Sequence, residues 1–139
     1  MEQTNSSIVD KNKNCPCGTG KSYKDCCAGP HQNISNALTS EDLMRSRYTA
    51  FVLGMGNYLI DSQHSMTRSH LNKKELEEWA GSLRWLRLEI LDTAKGTIKD
   101  HEGEVEFKAY FKHKGKQEVL HERSKFLKEY GNWLYFDKM

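Results

Sequence analysis

VEFKAYFKHKGKQEVLHERSKF, residues 105 to 126, sets the period of the second half of the chain and with it the fold. Val105, Phe107, Ala109 and Phe111 alternate with Glu106, Lys108, Tyr110 and Lys112. A period of two places the apolar set on one face of a strand and the charged set on the other. HKGKQ then reads as a hairpin turn, and VLHERSKFLKEY as a long returning strand. Upstream, Leu86, Leu88 and Ile90 alternate with Arg87 and Glu89; downstream, YGN turns the chain into WLYF. The second half is predicted to be a meander of antiparallel strands.

The first half has a different period. Thr39 or Ser40 can cap a helix with Glu41 and Asp42 in its first turn. Met44, Tyr48, Phe51, Val52 and Met55 follow at helical spacing and form one apolar stripe. Gly54 and Gly56 interrupt it, Tyr58 and Leu59 carry the apolar face into a second short helix, and NKKELEEWAGSL reads as a third that ends near Gly81. Helices first and strands second make an α+β fold, with helices packed on one face of a curved antiparallel sheet. Residues 1–14 are polar and unpatterned, and are predicted to be a disordered lead-in. Residues 28–38 read as a turn-rich linker around Gly29-Pro30. Residues 39–139 hold every helix and strand of this reading, and are expected to fold by themselves.

The totals narrow the function. The 139 residues suit one globular domain with a small appendage. With 21 basic and 19 acidic residues, the net charge of +2 gives no nucleic-acid footprint, so dedicated DNA binding is not expected. The opening MEQTNSSIVDKNKN lacks the apolar core of a signal peptide. No apolar run approaches the roughly 18 residues of a membrane span. A cytoplasmic protein without membrane contact is expected.

All four cysteines lie in CPCGTGKSYKDCC, residues 15 to 27. Gly20-Lys21-Ser22 is no phosphate loop, because such a loop needs a glycine where Cys15 stands. A Cys15–Cys17 disulfide would close a very small ring through Pro16, and a Cys26–Cys27 bridge would strain the peptide between them. A thioredoxin-like site requires C-x-x-C, and this is C-x-C. A closed tetrahedral metal site fits best: Cys15, Cys17, Cys26 and Cys27 supply four thiolates within a short span, while Gly18 and Gly20 let the backbone turn. Adjacent cysteines can reach one ion only where the backbone bends. The fourth ligand is therefore open between Cys27, which is favoured, and His31.

Cys15-Pro16-Cys17-Gly18, Gly20-Lys21, Tyr23-Lys24 and Cys26-Cys27 together resemble the SEC-C motif, the zinc module at the end of the SecA motor protein. SecA-type versions often have histidine at the last ligand position, where this chain has Cys27. The resemblance implies one Zn2+. It also implies a partner surface at Lys21, Tyr23 and Lys24, since the similar module contacts the secretion chaperone SecB, whose tail is acidic, and related modules are linked to ribosomes.

The order of helices and strands resembles the cone-shaped nuclear transport factor two-like fold. With the zinc motif in front, the whole chain resembles the YchJ family, through MRSRYTAFVLGMGNYLIDSQH (residues 44–64) and HERSKF (residues 121–126). It departs from members with a second, C-terminal SEC-C motif, because no cysteine follows Cys27.

Such folds enclose a pocket between the helices and the concave sheet. Glu122 shares a strand face with Leu120, Ser124 and Phe126, so its carboxylate needs a partner. Arg47, on the border of the helical stripe, is the candidate for a buried ion pair, with Arg45 second. The functional alternative to that ion pair is an anion- or carbonyl-binding pocket that uses Arg47, Tyr48 and His64, with His64 at its mouth and Trp85 and Trp133 as candidates for its walls. No nucleophile–base pair, carboxylate dyad or cofactor loop has recognisable spacing. The expected role is a zinc-binding interaction module on an α+β scaffold; the alternative is a small-molecule site or an enzyme in the cone pocket.

Overall fold

The computed structural model describes residues 10–139, so most of the predicted lead-in, residues 1–9, lies outside the described residues. After the cysteine knuckle come α1 (Ala28–Gln32), α2 (Ser40–Leu53), α3 (Gly56–Asp61), α4 (Lys73–Gly81), β1 (Arg84–Lys95), β2 (Glu102–His113), β3 (Lys116–Glu129) and β4 (Asn132–Lys138). The strands form one antiparallel sheet in chain order, β1-β2-β3-β4. The predicted α+β order of helices before a meander is the observed one.

Local chemistry explains the boundaries. Thr39 caps α2 by accepting from the Asp42 N–H at 3.0 Å, and Asn72 caps α4 by accepting from Glu75 at 3.0 Å. Gly54 ends α2 in the left-handed region at φ 70°. Lys114-Gly115 and Tyr130-Gly131 close the last two hairpins as two-residue turns, with φ positive at both positions of each. Gly103 is required for a different reason: a Cβ there would lie 2.5 Å from the Gly96 Cα.

The alternation on β2 holds, and Val105, Phe107 and Ala109 are buried. On β1 it does not. Register shifts fall between Trp85 and Arg87 and between Ile90 and Asp92, so Leu86 and Leu91 have no partner on β2. Each extra residue moves its neighbours to the other face. Trp85, Leu88 and Ile90 therefore pack against the core, while Leu86 and Leu91 stay exposed. The predicted face containing Leu86 is corrected in this way.

The segment predicted as a linker is also corrected. Residues 28–38 contain α1 and a 3-10 turn, Ile34–Asn36, with Ala28, Pro30 and Ala37 buried. Trp133 Nε1 on β4 donates to the Leu38 carbonyl at 3.2 Å and pins the segment's end to the sheet. Residues 10–14 are tied down too. The Lys24 and Tyr23 N–H groups donate to the carbonyls of Lys11 (3.1 Å) and Lys13 (2.9 Å).

α2 is buried far beyond one stripe: Leu43, Met44, Ser46, Arg47, Tyr48, Thr49 and Ala50 are all buried. Two bodies cover it. The sheet lies on one side, and the knuckle with α1 and α3 on the other. Cys15, Cys17, Cys27, Leu43, Tyr48, Phe126 and Trp133 belong to one continuous core. The knuckle is thus part of the core on which residues 39–139 were expected to fold alone.

Candidate metal centre and the cavity beside it

Two tight turns bring the cysteines together. Gly18 and Gly20, at φ 87° and 88°, fold the chain back so that Cys15 N–H donates to the Lys21 carbonyl at 2.8 Å. A 3-10 turn, Tyr23–Asp25, leads to Cys26, whose φ −133° and ψ −108° bend the backbone just before α1. That bend lets adjacent Cys26 and Cys27 face one point. The four Sγ atoms lie within 4.8 Å of one another, and Cys17 and Cys26 are 3.5 Å apart. Four thiolates about 2.3 Å from one ion in a tetrahedron would be about 3.8 Å apart, so the cluster fits a closed four-sulfur site.

The surroundings agree. Cys15, Cys17 and Cys27 are buried, and only Cys26 is half-exposed. The Thr19 hydroxyl lies 3.2 Å from Cys26 Sγ, and the Thr49 hydroxyl 3.7 Å from Cys15 Sγ. Hydrogen bonds from Cys17 and Cys27 hold the Cys15 thiol well below its ordinary range. The Cys15 contact pushes Cys17 up to about 11, and contacts with Cys15 and Cys17, with burial, push Cys27 higher still. Crowded thiols cannot all ionise against one another, and a cation among them removes that conflict. The four cysteines can hold a metal ion.

His31, the competing fourth ligand, is occupied elsewhere. Its Nε2 donates to the Ser46 carbonyl at 2.8 Å, which leaves Nδ1 to accept from the Tyr23 hydroxyl at 2.8 Å. Its ring also packs edge-on against Tyr58, with centroids 4.7 Å apart. Tyr23 is therefore buried, with its phenol pushed up to about 12 by desolvation, and it does not join Lys21 and Lys24 on the surface. Arg45 also belongs to this side rather than to the pocket. Its Nε pairs with Glu41 at 2.9 Å, and its Nη1 donates to the Cys17 carbonyl at 2.7 Å.

On the other side of α2 lies a cavity of about 140 Å³. Phe51, Trp79, Trp85 and Phe107 line it, with Arg47 and Glu122 as its charged groups. Tyr48 reaches it too, packed edge-on against Trp85 at 5.8 Å. The expected direct Arg47–Glu122 ion pair is not made. Arg47 Nη1 is drawn to the end of α3, where it donates to the Leu59 carbonyl (2.8 Å) and the Ser62 hydroxyl (2.7 Å). Tyr135 stands between the two charges. The guanidinium lies 4.7 Å from its ring centroid, and its hydroxyl donates to Glu122 Oε2 at 3.0 Å. Burial lowers the Arg47 pKa to about 10.

His64 does not line the cavity. Its Nδ1 accepts from the Met66 N–H at 3.1 Å, its Nε2 faces Glu129 at 4.0 Å, and its backbone N–H donates to the Tyr135 carbonyl. Trp133 is fully buried core. Ser46, Thr49 and Tyr135 do not stand out in the sequence, although a period of two from Trp133 is a signal that puts Tyr135 on the same strand face.

Similarity to known proteins follows the same division. Residues 12–29 match the SEC-C motif, and residues 39–138 match the family described as YchJ, middle NTF2-like domain. A UPF0225 protein of Geobacter sulfurreducens is 43% identical over 123 residues, covering 88% of this chain and 76% of that one. The chain belongs to the YchJ family. Two solved structures share its fold. A SEC-C motif containing protein from Rhodopseudomonas palustris, solved in solution, superposes with a TM-score of 0.83 at 33% identity, over 91% of this chain and 98% of that one. A crystal structure of a SEC-C motif containing protein from Psychrobacter arcticus gives 0.79 at 32% identity, over 94% and 84%. Among the described residues, no helix of this YchJ-family chain is long and apolar enough to cross a membrane.

Proposed function

We propose that the protein is a cytoplasmic zinc-binding interaction module whose metal is structural and whose knuckle presents lysines to an acidic protein segment. One Zn2+ would be held by Cys15, Cys17, Cys26 and Cys27. Four sulfurs complete its coordination and leave no open position for substrate, which favours a structural ion over a catalytic one. A thiolate site of this kind suits a reducing compartment.

The observation that supports the partner class is the placement of four exposed lysines. Lys11 and Lys13 lie on one segment, Lys21 and Lys24 on the segment hydrogen-bonded to it. Asp10 and Asp25 are the only exposed acids among residues 10–27, so the exposed side chains of this segment are net positive above a largely buried cysteine cluster. Separate surface lysines attract an extended acidic chain without demanding a fixed geometry.

The test is calorimetric titration of the zinc-loaded chain with a glutamate-rich peptide, at two salt concentrations and with Lys11, Lys13, Lys21 and Lys24 changed to Glu. Saturable binding that weakens with salt and is lost in the variant is expected. Binding unchanged in the variant, or a preference for ribosomal RNA over the peptide, would overturn the partner class. Metal analysis finding less than about half an equivalent of zinc in freshly reduced chain would overturn the zinc assignment.

A further inference from the structure

We propose that the cavity between α2, α4 and the sheet is a binding site for one small uncharged planar ring that carries a carbonyl beside a ring N–H, the chemistry of a cyclic amide. The inference uses no cysteine or knuckle lysine and stands apart from the interaction role.

Size sets the first limit. A cavity of about 140 Å³ matches the roughly 150 Å³ apolar cavity known to take one benzene. One six-membered ring fits, and a fused pair does not. Shape sets the second. Phe51, Trp79, Trp85 and Phe107 offer flat aromatic surfaces, on which a planar ligand finds offset or edge contacts. Trp79 is 46% exposed and Leu120 38%, so the lining reaches solvent and a ligand has a way in.

The polar groups decide the chemistry. Arg47 is 7% exposed, and the hydrogen bonds it makes use Nη1 alone. A guanidinium has five N–H groups, so those on Nε and Nη2 have no hydrogen-bond acceptor among the described residues. Buried donors are almost always paired, and Arg47 lines the cavity, so an acceptor bound there would complete its hydrogen bonding. Glu122 is complementary. Both donors that reach it, the Ser124 and Tyr135 hydroxyls, go to Oε2, which leaves Oε1 without a donor among the described residues. The cavity thus offers donors from one residue and an acceptor from another. A cyclic amide answers both, its carbonyl to Arg47 and its N–H to Glu122.

Net charge excludes the simpler ligands. One guanidinium and one carboxylate, linked through Tyr135, sum to zero. An anion drawn to Arg47 would face Glu122, and a cation drawn to Glu122 would face Arg47; either would add an uncompensated charge to a site whose own two charges already cancel. Benzene alone would leave the buried Arg47 donors unpaired.

Four ring-sized probes separate these cases in titrations of the full metal-loaded chain, read by quenching of Trp79 and Trp85 fluorescence. They are 2-pyridone, benzene, benzoate and benzylammonium. Saturable binding of 2-pyridone is expected, with each of the others weaker by about tenfold or more, the factor that one charge-assisted hydrogen bond supplies. Glu122→Gln should weaken 2-pyridone and strengthen benzoate, because Arg47 then faces no opposing charge. Benzene binding as tightly as 2-pyridone would reduce the cavity to an apolar void. Benzoate preferred by the unmodified chain would make it an anion site. No saturable response to any probe would end the proposal. The comparison of probes on the unmodified chain decides the matter even if the Glu122 variant fails to fold.

Discussion

The two sides of α2 are built in opposite ways. Toward the knuckle, every polar group that the helix turns inward has a partner: Arg45 on the Cys17 carbonyl, the Ser46 carbonyl on His31, the Ser46 hydroxyl 2.7 Å from Tyr58, and Thr49 beside Cys15. Toward the sheet, Arg47 is only partly satisfied, and a cavity lined by Phe107 and Trp85 opens beside the helix. A seam closed by hydrogen bonds transmits instability from one body to the other, because opening it leaves buried groups unpaired. A cavity wall transmits little. The knuckle should therefore govern the stability of the whole domain more strongly than the cavity does.

The largest expected effect tests the seam. Zinc-finger peptides gain about 10–16 kcal/mol from their metal, and Cys15, Cys17 and Cys27 lie in the same core as Phe126 and Trp133. Chelation, or Cys17→Ser, should lower the melting temperature of the sheet itself, followed by far-ultraviolet dichroism together with the fluorescence of buried Trp133. A sheet transition unmoved by complete metal removal would show that the seam does not couple the two bodies.

An intermediate effect tests the cavity side. Arg47→Met should cost about 2–3 kcal/mol, since it leaves the Leu59 carbonyl and the Ser62 hydroxyl without their charged donor. Glu122→Gln should cost about 1–2 kcal/mol, because the amide still accepts from Tyr135. With Tyr135 between them, the two residues should be coupled by no more than about 1 kcal/mol in a double-mutant cycle of denaturant unfolding. Coupling near 3 kcal/mol would mean that the charges meet directly in solution.

The sequence makes some of this legible for definite reasons. Helix caps at Thr39 and Asn72, the turns at Gly115 and Gly131 and the alternation of β2 are local, and local patterns carry them. The cysteine cluster was legible because its spacing has few other uses. Three features were not. The bulges at Leu86 and Leu91 depend on what β2 offers opposite them, which no period within β1 records. The burial of Ser46 and Thr49 depends on the knuckle folding back over α2, a contact between segments more than thirty residues apart for Cys15 and Thr49. Arg47 reads in the sequence as a border of the apolar face and is instead buried, and its partners lie where charge pairing alone does not look. The Leu59 carbonyl and the Ser62 hydroxyl at the end of α3 compete for a guanidinium, and a list of charged residues does not show them.

The smallest expected effect returns to the seam and concerns pH. His31 is buried against Ser46 and Tyr23, and burial lowers its pKa from 6.5, opposed by the hydrogen bond to the Ser46 carbonyl. The folded chain therefore holds the neutral ring, while the unfolded chain takes up a proton near pH 6.5. Stability from this residue is complete above about pH 6.5 and is lost as the pH falls toward the lower folded-state value. Loss of thiolate ligands also weakens the chain in acid, so metal content must be measured in the same samples. Where metal content is constant, denaturant midpoints of the unmodified chain should decline below about pH 6.5, while those of His31→Gln, lower by about 1–2 kcal/mol at neutral pH, should not. Parallel decline of the two chains over that interval would assign the pH dependence to other groups. It would also remove His31 from the contacts that make the knuckle side of α2 the stiffer one.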